Sequence, residues 1–141
     1  MRKSRYEFGM WGEEIVCHTL RKRGWTVYPS PGSRGPADIL AVKTKRSWCI
    51  QVKTRTTDNS RLLGRKEERC LLKYSTSCSG TPVVAILKRN SSSVLRVATH
   101  MRDVDDHSTI RDVAGNFVCV DLDNGFMLFF FDLRKGSSLE P

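Results

Sequence analysis

The sequence predicts an α/β fold: a central mixed β-sheet flanked by helices, with an added C-terminal β-hairpin. Three observations support this prediction. Residues 6–23 show helical spacing of apolar side chains. Residues 83–87 form a continuous apolar run, which is typical of a buried parallel strand. The pair Asn124-Gly125 separates two further apolar runs in the manner of a hairpin turn.

The length and charge of the chain indicate one basic domain. With 141 residues it can form one core but hardly two, so we expect a single domain over residues 1–135 and a tail at 136–141. Lys and Arg number 24 against 15 Asp and Glu, a net charge of +9. Nucleic-acid binding draws much of its affinity from neutralised phosphates, so this charge favours a polyanionic partner such as DNA. The alternative is a basic soluble protein without that role.

The cysteines and the apolar runs indicate the cellular compartment in which the protein is expected. There are five cysteines, an odd number without a CxxC pair, which fits neither a zinc site nor a disulfide framework. Most of them lie among apolar residues and are expected to be small buried thiols, which indicates a reducing, intracellular location such as the cytoplasm. No signal peptide or membrane-length apolar run is present, so we expect no membrane partner. The five are Cys17, Cys49, Cys70, Cys78 and Cys119.

The first predicted helix, residues 6–23, carries two adjacent acids that helical spacing distinguishes. The positions three, four and seven after Glu13 are apolar, whereas those four and seven after Glu14 are polar. Glu13 therefore lies on or beside the buried face and Glu14 faces solvent. A buried carboxylate is costly unless a cation compensates it; the alternative is a solvated Glu13 at the rim. Gly9 and Gly12 leave the same side of the helix without side chains, which would let the helix approach the sheet closely.

A short strand at 25–28 is followed by a glycine- and proline-rich loop at 29–36. Arg34 in this loop could clamp a phosphate, although an exposed turn is the simpler interpretation. Two strands, 37–43 and 48–54, then form a predicted hairpin around the basic connection Thr44-Lys45-Arg46-Ser47.

This hairpin carries the candidate chemistry. Asp38 opens its first arm, and Gln51 and Lys53, which share a strand face, close its second. If the arms pair, an acid, an amide oxygen and an ammonium converge at one end of a sheet. Asp38, the Gln51 side chain, the Val52 carbonyl and Glu13 could hold Mg²⁺. Lys53 could orient a water and stabilise charge on a phosphate. The alternative is an ordinary hairpin with solvated polar residues.

The rest of the chain predicts supporting elements. A helix is expected at 66–77 with Cys70, Leu71 and Tyr74 on one face, and a strand at 94–98. Residues 100–112 are acidic, and a solvated loop is favoured there over a metal cluster. The final hairpin pairs 117–123 with 126–133. Its FMLFFF segment is apolar on both faces, so we expect a two-fold partner to cover the second face.

The order Glu13, GSRGPAD ending at Asp38, and Ile50-Gln-Val-Lys53 resembles the PD-(D/E)XK nuclease superfamily, and within it the archaeal Holliday junction resolvases. GEEIVCHTLRKRGW and RKEERCLLKYSTSCSGTPVVAILKR extend the likeness over residues 8–98. It implies a restriction-endonuclease-like core and a dimeric Mg²⁺-dependent endonuclease, in which Mn²⁺ can substitute, that cuts four-way DNA junctions symmetrically.

The resemblance also implies roles for particular residues. Glu13, Asp38, Gln51 and Lys53 would be the metal-binding and catalytic set, and Ser33 would line the loop beside the phosphate. The positions expected to contact DNA are Arg5, Ser33, Arg34, Lys45, Arg46 and Arg55.

One departure from the family pattern concerns the third ligand, which is usually Glu and here is Gln51. An amide oxygen is a neutral, weaker ligand, so metal affinity should fall unless Glu13 compensates. Restriction enzymes of the Mrr type resemble the chain in having Gln here. Two alternatives therefore stay open: an Mrr-like restriction or repair endonuclease on duplex or flapped DNA, and a non-catalytic basic DNA-binding dimer.

Overall fold

A computed structural model of the chain describes residues 5–30, 35–55, 63–89, 119–122 and 126–141. The predicted loop residues Ser33 and Arg34, the strand at 94–98 and the acidic stretch at 100–112 lie outside these ranges. The described elements, in chain order, are α1 (Arg5–Lys22), β1 (Thr26–Pro29), β2 (Ile39–Lys43), β3 (Arg46–Arg55), α2 (Arg65–Ser77), β4 (Thr81–Arg89), β5 (Cys119–Asp121), β6 (Phe126–Asp132) and β7 (Ser138–Leu139).

The strands form one sheet in the order β1-β2-β3-β4-β6-β5, with β7 also paired to β6. Only β3 and β4 run parallel; the other described pairs are antiparallel. The parallel pair needs a crossover, which α2 supplies between β3 and β4. The predicted α/β class, with a central mixed sheet flanked by helices and a C-terminal hairpin of β5 and β6, is therefore confirmed.

Helix α1 ends where glycine permits a left-handed residue. Gly24 has φ +90°, and the following amide of Trp25 donates to the Leu20 carbonyl at 3.0 Å. On the face toward the sheet, Val16 and Leu20 are fully buried. Glu14 is exposed while Glu13 is half-buried, so the prediction from helical spacing holds for both acids.

The hairpin of β2 and β3 turns tightly at Thr44 and Lys45. Lys43 pairs with Arg46 and Ile39 with Ile50, and Thr44 takes the left-handed conformation at φ 54°. This register fixes which side chains of β3, from Arg46 to Ile50, share a face with those of β2.

Hydrophobic clusters cover both faces of the sheet. The α1 face includes Val16, Leu20, Trp25, Ile39, Ile50 and Phe130, and the α2 face includes Leu71, Val84, Ile86, Phe129 and Phe131. Strand β6 is thus covered on both faces within the chain. The expectation that a partner must cover the second face of FMLFFF is wrong, because the α2 cluster already buries Phe129 and Phe131.

The structure also corrects the expected tail. Ser138 and Leu139 form β7 and pair with Phe131 and Phe130 of β6, and Leu139 packs against the core on the α1 face. An Arg46 nitrogen donates to the Glu140 carbonyl at 3.1 Å. Residues near the end of the chain therefore belong to the sheet, although their short polar sequence carries no strand pattern.

Two smaller expectations are also corrected. In α2 the buried positions are Leu71 and Ser75, and Cys70 is exposed. The cysteines are less buried than predicted: Cys17 and Cys49 are buried, but Cys78 is exposed like Cys70. Neither described helix is long and apolar enough to cross a membrane.

Gly12 sets how closely α1 approaches β3. A Cβ added there would overlap Thr54 Cγ2 and lie 3.7 Å from Val52 Cγ1. For Gly12→Ala we expect a loss of about 1–2 kcal/mol in the free energy of unfolding. Overpacking costs ~1–3 kcal/mol, and the better helix propensity of alanine returns up to ~1 kcal/mol. Urea unfolding followed by circular dichroism measures the change.

A rescue variant locates the overlap. Thr54→Ser removes the Cγ2 methyl and keeps the hydroxyl, so Gly12→Ala combined with Thr54→Ser should recover most of the loss relative to Thr54→Ser alone. An undiminished cost of Gly12→Ala in the Thr54→Ser background would show that this methyl does not limit the approach of the helix.

Candidate active site

The candidate site lies where β2 begins beside β3. The Asp38 amide donates to the Ile50 carbonyl at 2.8 Å, and the Ser30 amide donates to the Asp38 carbonyl at 2.8 Å. Ile39 pairs with Ile50, and the Ile50 carbonyl also accepts from Asp38, so Asp38 and Ile39 both lie opposite Ile50, as in a β-bulge. A bulge changes the direction of a side chain, and here the Asp38 carboxylate meets the backbone of Val52 on β3. The structure thus brings Asp38 to β3 near Gln51 in sequence, without a regular cross-strand pair between the two.

The Asp38 carboxylate is buried and fixed by one backbone donor. Its side chain accepts a hydrogen bond from the Val52 amide at 2.9 Å, and the residue is only 5% exposed. Burial raises the pKa of Asp38 from its ordinary value of 3.8 to about 6, against the lowering effect of the Val52 hydrogen bond. The charges of Glu13 and Glu67 also raise this pKa, and that of Lys53 lowers it. All three side chains are therefore within electrostatic reach of Asp38.

Lys53 lies on the same face of β3 as Gln51, two residues further along. Its Nζ donates to Glu67 Oε2 on α2 at 2.7 Å. The Lys53 side chain is 18% exposed and that of Glu67 is 46% exposed, so the cationic member is the better shielded from water. The ammonium is held at the α2 side of the site.

Glu13 approaches from the other side. It lines a cleft together with Pro29 and Ser30, next to the residue that hydrogen-bonds the Asp38 backbone. Gln51 and Glu67 line a second cleft, against α2, with Gly35 and Pro36. Of the four predicted catalytic residues, Glu13 and Gln51 thus line different clefts, and the charge of Glu13 acts on Asp38.

The donor types around Asp38 suit a hard divalent cation. Ile50 and Val52 are two residues apart, so both direct their backbone groups toward the side of β2, where the Val52 amide meets the Asp38 carboxylate. Carboxylate, amide and carbonyl oxygens are ligands that Mg²⁺ accepts. Among the described residues, no three His, Cys, Asp or Glu side chains group closely enough to hold a metal. A cation here would therefore need the Gln51 and Val52 oxygens in addition to Asp38 and Glu13.

Of the residues expected to contact DNA, only Lys45 and Arg46 have described side chains, and both lie away from this site. Lys45 is exposed in the hairpin turn, which lies roughly 25 Å along β3 from Lys53 at about 3.3 Å per residue. The Arg46 guanidinium stacks over Trp25 at 4.7 Å and Trp48 at 5.3 Å. Arg46 therefore has a structural role that the sequence did not reveal. Arg5 begins α1 and Arg55 ends β3; their side chains lie outside the described part.

Glu67 is the neighbour of the site that sequence reasoning missed. It stands at the third position of α2, and its Oε1 accepts from the Gly64 amide at 3.5 Å. An acid in the first turn of a predicted helix is a readable signal of the helix start. Its contact with Lys53, 14 residues earlier, depends on how α2 packs on the sheet, which the sequence does not state.

The described part of the site thus combines a buried acid and a lysine within one mixed α/β sheet. The family described as archaeal Holliday junction resolvase (hjc) matches residues 4–126 of the chain. The chain therefore belongs to this family and is an endonuclease. The match extends beyond the segment 8–98 on which the sequence resemblance rested.

Among solved structures, the chain is similar to Hjc, a Holliday junction resolvase from the archaeal hyperthermophile Archaeoglobus fulgidus. The identity is 23% and the TM-score 0.49, over 57% of this chain and 68% of that one. No curated protein matches the chain at a significant level.

The raised pKa of Asp38 predicts a pH-dependent stability of the metal-free protein. Between pH 4 and about 6 the folded state holds this proton more tightly than the unfolded state, so the free energy of unfolding falls as pH rises through this window. Asp38→Asn stays neutral and can still accept from the Val52 amide. We expect this variant to be more stable than the wild type at pH 7.5 in EDTA, by on the order of 2 kcal/mol.

Urea unfolding of both proteins at pH 4.0 and pH 7.5 measures this difference. The advantage of Asp38→Asn should shrink at the lower pH, where Asp38 is protonated in the folded protein. An equal difference at both pH values would mean that burial does not penalise the Asp38 charge.

Proposed function

We propose that this protein is a Mg²⁺-dependent DNA endonuclease that acts as a dimer and hydrolyses phosphodiester bonds in four-way DNA junctions. The observation that carries the proposal is the buried carboxylate of Asp38, which accepts from the Val52 amide and is within electrostatic reach of Lys53 and Glu13. Membership of the archaeal Holliday junction resolvase family supports the junction as substrate. The net charge of +9 supports DNA binding in general.

Each residue of the site has a proposed role. Asp38, Glu13, the Gln51 amide oxygen and the Val52 carbonyl would hold the cation. When bound, Mg²⁺ supplies Lewis-acid polarisation of the phosphate and a more acidic water, and Mn²⁺ can replace it. Binding requires Asp38 in its ionised form, which the nearby Lys53 ammonium favours. The burial that raises the pKa of Asp38 also keeps this carboxylate out of bulk water, ready for a cation.

Lys53 would act on the phosphate directly. In hydrolysis a water oxygen attacks phosphorus, the bond to the leaving sugar oxygen breaks, and that oxygen gains a proton. Negative charge grows on the phosphate oxygens during attack, and the Lys53 ammonium would stabilise it. Lys53 projects from β3 where that strand pairs with β4, opposite Ile86, so its backbone position is fixed from that side.

The dimer and the compartment are further parts of the proposal. The dimer follows from the family resemblance, because two symmetric cuts in one junction need two active sites. Strand β6 gives no support for a dimer, because both of its faces are covered within the chain. An intracellular, reducing compartment is supported by the four cysteines whose side chains are described, all of which are free thiols.

The roles of Asp38 and Lys53 predict a separation of cutting from binding. Asp38→Asn and Lys53→Ala should each lower the rate of junction cleavage by about 100-fold or more, because each removes a group that acts on the reacting phosphate or its cation. Junction affinity should change only a few-fold. Single-turnover cleavage in Mg²⁺ and fluorescence anisotropy in Ca²⁺ measure the two effects.

A matched control accounts for the loss of one positive charge. Lys22→Ala removes an exposed lysine at the end of α1 and should weaken binding by a similar small factor, while cleavage of bound junction stays at the wild-type rate. Equal loss of binding and cutting in both site variants would instead assign Asp38 and Lys53 to structure.

The substrate is tested by comparing a labelled four-way junction with plain duplex at one salt concentration. We expect paired nicks in opposite strands of the junction, dependent on Mg²⁺, and a molar mass by light scattering of twice the chain. Comparable cutting of duplex would favour the Mrr-like restriction or repair enzyme. Junction binding without cutting, with Lys53→Ala equal to wild type, would favour the non-catalytic DNA-binding dimer.

A further inference from the structure

The site has one fewer acid on β3 than the family pattern places there. Gln51 carries no charge, and Lys53 adds a positive one on the same face. With Asp38 and Glu13 ionised, these residues leave a single net negative charge to balance a divalent cation. A site of this kind should hold Mg²⁺ weakly unless another carboxylate lies nearby.

Glu67 is that carboxylate. It lines the same cleft as Gln51, and its Oε2 accepts from Lys53 Nζ at 2.7 Å. Its charge is felt at Asp38, where it opposes ionisation as Glu13 does. Its position in the first turn of α2, with its other oxygen 3.5 Å from the Gly64 amide, fixes it from the helix side. Glu67 thus neutralises Lys53 and restores a second negative charge beside Gln51.

We propose that Glu67 is a positioning residue of this site. It holds the Lys53 ammonium, and it supplies from α2 the negative charge that a Glu at position 51 of β3 would have supplied. The proposal deepens the proposed nuclease function and rests on it. Glu67 acts through Lys53 and through its electrostatic field. The described residues contain no three-acid group that could hold a metal, so Glu67 is not assigned as a ligand.

The test moves the charge from α2 to β3. Wild type is compared with Glu67→Gln, with Glu68→Gln and with the double variant Gln51→Glu/Glu67→Gln, and Mn²⁺ affinity is measured by titration calorimetry without DNA. Glu68 is the matched control, because it is a second acid in the first turn of α2 and removes the same favourable charge from the helix N-terminus. Gln at position 67 can still accept from the Gly64 amide through its side-chain oxygen.

We expect Glu67→Gln to weaken Mn²⁺ binding roughly three- to tenfold, because it removes a unit charge several ångströms from the divalent ion. Glu68→Gln should bind Mn²⁺ with nearly the wild-type affinity. The double variant should recover the wild-type affinity or exceed it. Junction cleavage should follow the same order, while Glu67→Gln binds junctions at least as tightly as wild type, because it has lost a negative charge.

Two results would overturn the proposal for Glu67 without affecting the proposed nuclease function. They are a Mn²⁺ affinity of Glu67→Gln equal to that of Glu68→Gln, or no recovery of Mn²⁺ affinity in the double variant. A purely structural role for Glu67 would lower the unfolding midpoint of Glu67→Gln without any recovery of affinity on adding Gln51→Glu. Failure of the wild type itself to bind Mn²⁺ or to cut junctions would instead reject the proposed nuclease function.

Discussion

The hydrogen bond from the Val52 amide to the Asp38 carboxylate, at 2.9 Å, is the contact on which the candidate site depends. It joins the last residue before β2 to the middle of β3 by a side chain, at a point where regular ladder pairing with β2 has ended. The same bond directs a charged group into a position where burial disfavours its ionisation. The bond that orders the start of β2 thus also positions the buried carboxylate.

The two helices contribute to the site in different ways. Helix α1 packs so closely on β3 that a Cβ at position 12 would overlap Thr54, and the following residue, Glu13, lines the cleft with Pro29 and Ser30. Helix α2 approaches the opposite face and brings Glu67 to Lys53. Arg134 after β6 bonds Thr76 Oγ1 at 2.6 Å and so holds the far end of α2. The site is assembled between helices that are each fixed by contacts away from it.

Sequence reasoning succeeded where structure follows from regular local geometry. Helical spacing separated Glu13 from Glu14, and strand alternation placed Gln51 with Lys53, because both periods hold wherever the element is regular. It failed where the outcome depends on what another element covers. Phe129 and Phe131, on the second face of β6, are buried in the cluster on the α2 side of the sheet. The Arg46 guanidinium stacks on two tryptophans that are distant in sequence from each other. The two-residue strand β7 has too few positions to show any period, so its pairing with Phe130 and Phe131 could not be predicted.

The place of β6 in the sheet has a consequence for biosynthesis. Strand β4, buried on both faces, pairs along one side with β3 and along the other with β6, where Val83 meets Asp132 and Arg89 meets Phe126. A nascent chain that has left the ribosome only as far as residue 89 therefore presents an unpaired apolar edge, which invites association with other chains. During co-translational folding, β6 can pair with that edge of β4 only after the segment through Asp132 has emerged. The interval between the two events is the period in which a growing chain would most need a chaperone.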